Sequence, residues 1–511
     1  MKNKYIYLIW FIALLPAIFL RDYTPNNELR YLSIVDEALQ NGNVFTFTNQ
    51  GEIYADKPPL HFWLMMIGKL ILGEHRMWYY SLLSIIPAFV ILITMTRWVG
   101  RDNDTALILM TTGLFAGAAL IVRMDMLMNM FIILSLYTFY QMYNDKNINR
   151  NSWLFPIFFF LALFSKGPLG FLIPFISTLI FLIYKKKISH FKRYWGWKSF
   201  LIILTGSAIW LTGVYIEGGA DYLNNLLVHQ TVGRGIDSFH HKEPFYYYLI
   251  SIWYTLAPWS FLVIGLFIAA LIKKRINTTL EQFFAVIIVS TLVMLSIISS
   301  KIAIYSLPVV PFFIFLTVLL FNKFDLQNWW IKLTIAIPSL IFVLALPSIL
   351  YLSKTESLHY LSNPFIYTGA AVLMLTGIFT IYLLYIKNYV TRSINILALG
   401  FLLSVFVTGW SFPQLNNQLG LGNMCTKAIE LAEEYEINDY WVYNIKRSEN
   451  MDVYLGKDII KVDKEVILHV FNENKLLMLR TKDIKNDPDI HSIILNKVQY
   501  QFGENIIVIL N

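Results

Sequence analysis

Cysteine is almost missing from this chain: among 511 residues only Cys425 carries a thiol. That excludes an intrachain disulfide and any metal centre built from several cysteines. Charge is scarce too, at 14% Asp, Glu, Lys and Arg, well under the share of an ordinary soluble domain. No internal repeat or low-complexity tract interrupts the sequence. What fills it is hydrophobic: 57% of residues, with a mean hydropathy of +0.55. Those fractions call for repeated membrane spans rather than one large soluble core.

Length and hydropathy predict about thirteen spans, the first over roughly 5–20 and the next near 77–98, 105–122 and 126–143. Others follow at roughly 152–165, 168–184, 199–216, 246–272, 282–299, 303–321, 331–351, 364–387 and 393–411. Turn sequences such as "KGP" at 166–168 and "GRDND" at 100–104 separate neighbours. The N-terminal stretch reads as a retained span, because no small-residue cleavage site follows it.

Basic residues concentrate in alternate loops: Lys2 and Lys4, Arg97 and Arg101, Lys146 and Arg150, "KKKISHFKRYWGWK" at 185–198, "KKR" at 273–275, Lys323 and Lys332, Lys387 and Arg392. Basic loops stay cytoplasmic, so the N-terminus is expected inside. The outer face then receives loops at about 21–76 and 217–245 and the tail beyond residue 412. The net charge of +8 reflects this bias and is not a nucleic-acid footprint.

The expected organisation is a membrane domain over 1–422 and a small extracytoplasmic α/β domain over 423–511. In the tail, "MCTKAIELAEEYEI" has helical spacing, and "YWVYNI", "KEVILHVF", "KLLMLR" and "NIIVIL" read as buried strands.

Candidate chemistry collects at the outer ends of spans, where charge is costly unless paired or functional. "PNNELRY" carries Asn27, Glu28 and Arg30, though taken alone it is better explained by a helix start with a dipole-matched glutamate. In "YADKPPLHFW", Pro58 and Pro59 force an extended corner that holds Asp56 and Lys57 where an apolar helix begins. An interfacial anchor with a snorkelling lysine explains that segment equally well. Asp125 in "VRMDML" sits at a turn between spans, as a helix cap would. "SKGPLG" at 165–170 reads as a turn rather than a site. The loop 226–249 holds His229, Arg234, His240, His241 and Glu243, with imidazole and carboxylate suited to a divalent metal and arginine to a phosphate. Lys301 and Tyr305, four apart, would share one face of a helix. Together these residues suit a lipid-linked phosphate.

The set "ELRY", "DKPPLHFW", Asp125, His229 with Arg234, and "SKIAIYSLP" resembles the polytopic glycosyltransferases of the GT-C fold that use polyprenyl-phosphate sugars. Within them it is most similar to bacterial lipid A aminoarabinose transferases, relatives of protein O-mannosyltransferases. The resemblance covers nearly the whole chain. It implies a membrane-embedded all-α bundle with a small outer α/β domain, in the bacterial inner membrane. It also implies a hexosyl or pentosyl transfer from a polyprenyl-phosphate donor to a lipid or glycolipid acceptor. Lys57 and Arg234, with Arg30, would hold the donor phosphate; Asp56 and His229 a divalent metal (Zn, Mg or Mn); Lys301 and Tyr305 the lipid-phosphate region. His241 matches the histidine that precedes Pro244. Asn27 stands where the family has its favoured catalytic aspartate, which leaves Asp125 and Glu28 as acid–base candidates. No protein or nucleic-acid partner is indicated. A lipid transporter or flippase is the alternative from another class, but its charges belong at midplane within broken helices. An inactive binding homologue is the third reading, and Asn27 is its argument.

Overall fold

The structure, a computed structural model, describes residues 4–100, 105–227, 242–470 and 474–510. Seven described helices are long and apolar enough to cross a membrane, from Met77–Val99 to Val390–Gly409. Two bent pairs raise the number to nine: Tyr5–Leu20 with Pro25–Asn41, at 70°, and Gly113–Leu120 with Met124–Tyr143, at 118°. The chain is thus a multi-pass membrane protein.

Each expected span falls on helix, but several are broken, so the count of thirteen does not follow from length and composition alone. The stretch expected at 105–122 divides into Ala106–Met110 and Gly113–Leu120. At the break Thr111 and Thr112 turn their hydroxyls back on the carbonyls of Leu107 (2.6 Å) and Ile108 (2.7 Å), a local bond that competes with helix continuation. Pro258, lacking an N–H, separates Tyr247–Thr255 from Ser260–Ile272.

The first long loop is a compact unit. A π-turn, Pro25–Leu29, leads into the amphipathic helix Arg30–Asn41, then a hairpin of β1 (Thr48–Asn49) and β2 (Glu52–Ile53), then the helix Leu60–Leu72. Glu37 fixes the hairpin turn, accepting from the Thr48 hydroxyl (2.5 Å) and the N–H groups of Gln50 (2.9 Å) and Gly51 (3.0 Å). Both turn residues have positive φ, 58° and 75°, which matches the twist of a tight hairpin. From the other side Glu217 accepts the N–H groups of Val44, Phe45 and Thr46 at 2.6–2.7 Å.

Residues beyond 422 build a mixed sheet in the order β4-β3-β5-β7-β6. Its strands are β3 (Tyr440–Tyr443), β4 (Ile460–Lys461), β5 (Lys475–Arg480), β6 (Gln499–Phe502) and β7 (Asn505–Leu510). β3 pairs parallel with β4 and β5, while β7 lies antiparallel between β5 and β6. The stretch expected as a strand at "KEVILHVF" is instead the helix Lys464–Val470. A short apolar run does not separate buried helix from strand, and here Ile467 packs under the sheet with Leu477 and Val508.

The tail is welded to the first loop. Asp22, just past the first helix, accepts from the Gly422 N–H (2.8 Å) and from the Tyr454 hydroxyl. One apolar core runs through Leu32 and Val35 of the loop helix into Cys425 and Met478 of the tail. Cys425 is fully buried, and burial pushes its thiol well above the usual range.

Candidate functional site

Asp125 opens the helix Met124–Tyr143 directly after the sharp bend. It is 2% exposed and doubly paired: its Oδ2 takes Arg123 Nε at 3.0 Å and its Oδ1 takes Lys166 Nζ. Lys166 is the last residue of Ile148–Lys166, and its ammonium also lies 4.6 Å from the centre of the Tyr305 ring, a favourable cation–π placement. Lys57 lies within electrostatic reach of Asp125, delivered there by the corner at Pro58 and Pro59, both buried. Three cations thus lie near one carboxylate, with Asp125 and Lys166 almost fully buried and Arg123 23% exposed.

Tyr31 completes the wall, its hydroxyl 3.7 Å from Met124 Sδ. Arg30 lies across the rings of Tyr54 (5.3 Å) and Tyr31 (5.8 Å), and its Nε has no hydrogen-bond partner among the described residues. His61, the second residue of the helix Leu60–Leu72, is fully buried within reach of Asp125. Neither of its ring nitrogens has a hydrogen-bond partner among the described residues.

Of the residues singled out in the sequence, the structure gathers Lys57, Asp125 and Tyr305 in one place. Glu28 sits beside them with a different task. Fully buried, it takes both guanidinium nitrogens of Arg21 (2.6 and 2.8 Å), the N–H and hydroxyl of Thr24, and the Val122 N–H at 2.7 Å. It therefore clamps the first loop to the bend that presents Asp125. Asn27 lies half-buried in the π-turn before it. Asp56 acts on the neighbourhood of Tyr222, whose hydroxyl bridges the first loop at Phe47 and Tyr54.

The helix-face pairing expected for Lys301 and Tyr305 does not form. Lys301 lies in extended chain and Tyr305 in the 3-10 turn Ala303–Val309, because the span starts two residues after the lysine. Lys301 Nζ donates to the Glu243 carbonyl at 2.9 Å. His229, Arg234, His240 and His241 lie outside the described residues. Among the described residues no three His, Cys, Asp or Glu side chains converge to hold a metal.

Sequence reasoning missed Lys166 and Arg123. Lys166 stands in "SKGPLG", which reads as a turn, and nothing local distinguishes it from a snorkelling lysine. A lysine ending one span and an aspartate opening another was the available signal.

Residues 56–211 match the family model of dolichyl-phosphate-mannose-protein mannosyltransferases. An uncharacterized protein of Aquifex aeolicus is 26% identical, over 62% of this chain and 64% of its own length. The undecaprenyl phosphate-alpha-4-amino-4-deoxy-L-arabinose arabinosyl transferase 2 of Pseudomonas fluorescens is 24% identical, over 49% of this chain and 44% of its own. The chain spans about half the length of the curated relatives it matches. The crystal structure of ArnT from Cupriavidus metallidurans bound to undecaprenyl phosphate superposes with a TM-score of 0.75 at 15% identity, covering 99% of this chain and 98% of that one. The chain shares that fold, and the resemblance carried by its motifs is found again by sequence and by structure.

Proposed function

We propose that this protein is an integral-membrane glycosyltransferase that moves a sugar from a polyprenyl-phosphate donor to a lipid or glycolipid acceptor. The observation that carries the reading is the convergence of cations on the buried Asp125: Arg123 and Lys166 bond its carboxylate, and Lys57 lies within electrostatic reach. Such a place is suited to a phosphate that gains charge as it leaves.

In the reaction, an acceptor oxygen attacks the anomeric carbon. The bond from that carbon to the phosphate oxygen breaks, and its electron pair stays on the polyprenyl phosphate. Lys57 and Lys166 stabilise this developing charge, joined by Arg234. Arg30 and Lys301 flank the lipid phosphate. Asp125, with both oxygens already engaged, is suited to holding Lys166 and Arg123 in position more than to stripping a proton. Asn27 cannot accept one at neutral pH. Both facts favour an acceptor that is already anionic, such as the phosphate of a lipid A-like glycolipid, which needs no strong base. A divalent metal held by Asp56 and His229 belongs to the proposal as a further aid to binding the donor phosphate. The basic-loop alternation supports an inner-membrane protein with its N-terminus inside and its site and tail facing the periplasm.

Mass spectrometry of the lipids of cells with and without this protein tests the reading. The expected result is a sugar-bearing lipid that disappears on deletion while the sugar-charged carrier accumulates. Identical lipid profiles would contradict it.

A further inference from the structure

A groove of about 900 Å³ runs along the flank of the membrane domain, between helices Leu169–Tyr184, Ser260–Ile272 and Thr279–Ile297. Its walls are apolar for most of their length, formed by residues such as Ile176, Ile180, Val286 and Val293. Polar groups gather at one end. There Lys274, Asn277 and Gln282 line the groove, and Lys185 donates to Gln282 Oε1. This is the end from which the basic loops 185–198 and 273–275 emerge, at the opposite end of Leu169–Tyr184 from Lys166, which closes the preceding helix.

The cations at this end are not equivalent. Lys323 donates to Glu281 Oε2 at 2.6 Å and to the Arg275 carbonyl, and Arg275 returns a bond to the Lys323 carbonyl. Lys274 pairs with no carboxylate among the described residues. It adopts φ 51° at the end of its helix, a conformation uncommon for a residue with a side chain. Lys274 lines the mouth of the apolar channel.

Length decides what the channel suits. From Leu172 to Tyr184 the lining covers roughly 18 Å at 1.5 Å per residue, close to one leaflet's share of a hydrocarbon core about 30 Å thick. A single acyl chain fills that distance, with its head group at the basic end.

We propose that this groove binds an anionic phospholipid of the leaflet on the basic-loop side, its phosphodiester held by Lys274 and the Asn277 amide with Lys185 close by, and one acyl chain laid along the apolar wall. The site is separate from the Asp125 cluster and independent of the transfer reaction.

The test uses the full chain in mixed phosphatidylcholine–phosphatidylglycerol nanodiscs, released into detergent, with retained lipid identified by native mass spectrometry. Wild type should retain phosphatidylglycerol in preference to phosphatidylcholine. Lys274→Gln should cut that preference about fivefold. Val289→Trp, which fills the channel at a position 47% exposed, should abolish retention of both lipids. Unchanged phosphatidylglycerol retention in both variants would overturn the proposal. So would displacement of phosphatidylglycerol by added polyprenyl phosphate whose own binding falls equally in Lys274→Gln, because the groove would then belong to the donor chain.

Discussion

Replacing Glu28 by Gln is the sharpest perturbation of the frame around the site. Glu28 Oε2 accepts from Arg21 Nη1, the Thr24 N–H and the Thr24 hydroxyl, while Oε1 accepts from Arg21 Nη2 and the Val122 N–H. A glutamine keeps one carbonyl oxygen and turns an NH2 toward the other donors. At least two donors then lose their acceptor, and Arg21, 8% exposed, loses its counter-ion. Removing one partner of a buried ion pair costs about 3–5 kcal/mol, and each buried donor left unmade costs about 1–3 kcal/mol within that total. Thermal unfolding in detergent, followed by the reactivity of Cys425 as the shared core opens, should show a large loss of stability. Arg21→Met combined with Glu28→Gln should be less destabilised than Glu28→Gln alone, since no buried charge is stranded. A Glu28→Gln protein as stable as wild type but inactive would refute the structural assignment and restore Glu28 as a reacting group.

Four further outcomes are expected. Lys57→Ala should weaken binding of polyprenyl phosphate by roughly 2–4 kcal/mol, and Lys57→Arg should rescue it only in part, because a planar fork is not a point charge; titration of purified protein reads both. Asp125→Asn should abolish transfer, because Lys166 and Arg123 lose the carboxylate that aligns them; full turnover in that variant would return Asp125 to a helix cap. Burial, with Asp36 and Asp458 nearby, raises the Asp452 carboxyl to about 6 against the opposing bonds from Ser33 and the Val453 N–H. Its docking contribution is therefore complete below its ordinary value and lost as pH rises through about 6, so Asp452→Asn should raise the melting temperature at pH 7.5 and leave it unchanged near pH 4. For topology, Asn496→Cys on a Cys425→Ala background should react with an impermeant maleimide in intact spheroplasts, and labelling only after lysis would invert the orientation.

The sequence made the membrane class and the helical segments readable because hydropathy is a property of composition. Breaks inside spans were not readable, since Thr111–Thr112 and Pro258 are tolerated in intact membrane helices as well. Lys57 was legible because two prolines constrain it locally. Lys166 was not, because its meaning depends on Asp125, 41 residues away in sequence and adjacent in space. Glu28 was visible as a charged residue at a costly depth, but its five donors come from Arg21, Thr24 and Val122, a convergence that no spacing rule announces. The fate of Cys425 was hidden for the same reason: its helix has an ordinary amphipathic pattern, and only the docking of the tail on the first loop seals it.

The central claim is tested most directly by turnover of a labelled polyprenyl-phosphate sugar by the purified full-length protein with a lipid acceptor extract, alongside Lys166→Ala. The account predicts acceptor-dependent release of free polyprenyl phosphate by wild type, with release lost in Lys166→Ala. Wild-type protein that binds the donor and never releases the carrier, or a Lys166→Ala variant that turns over normally, would contradict it.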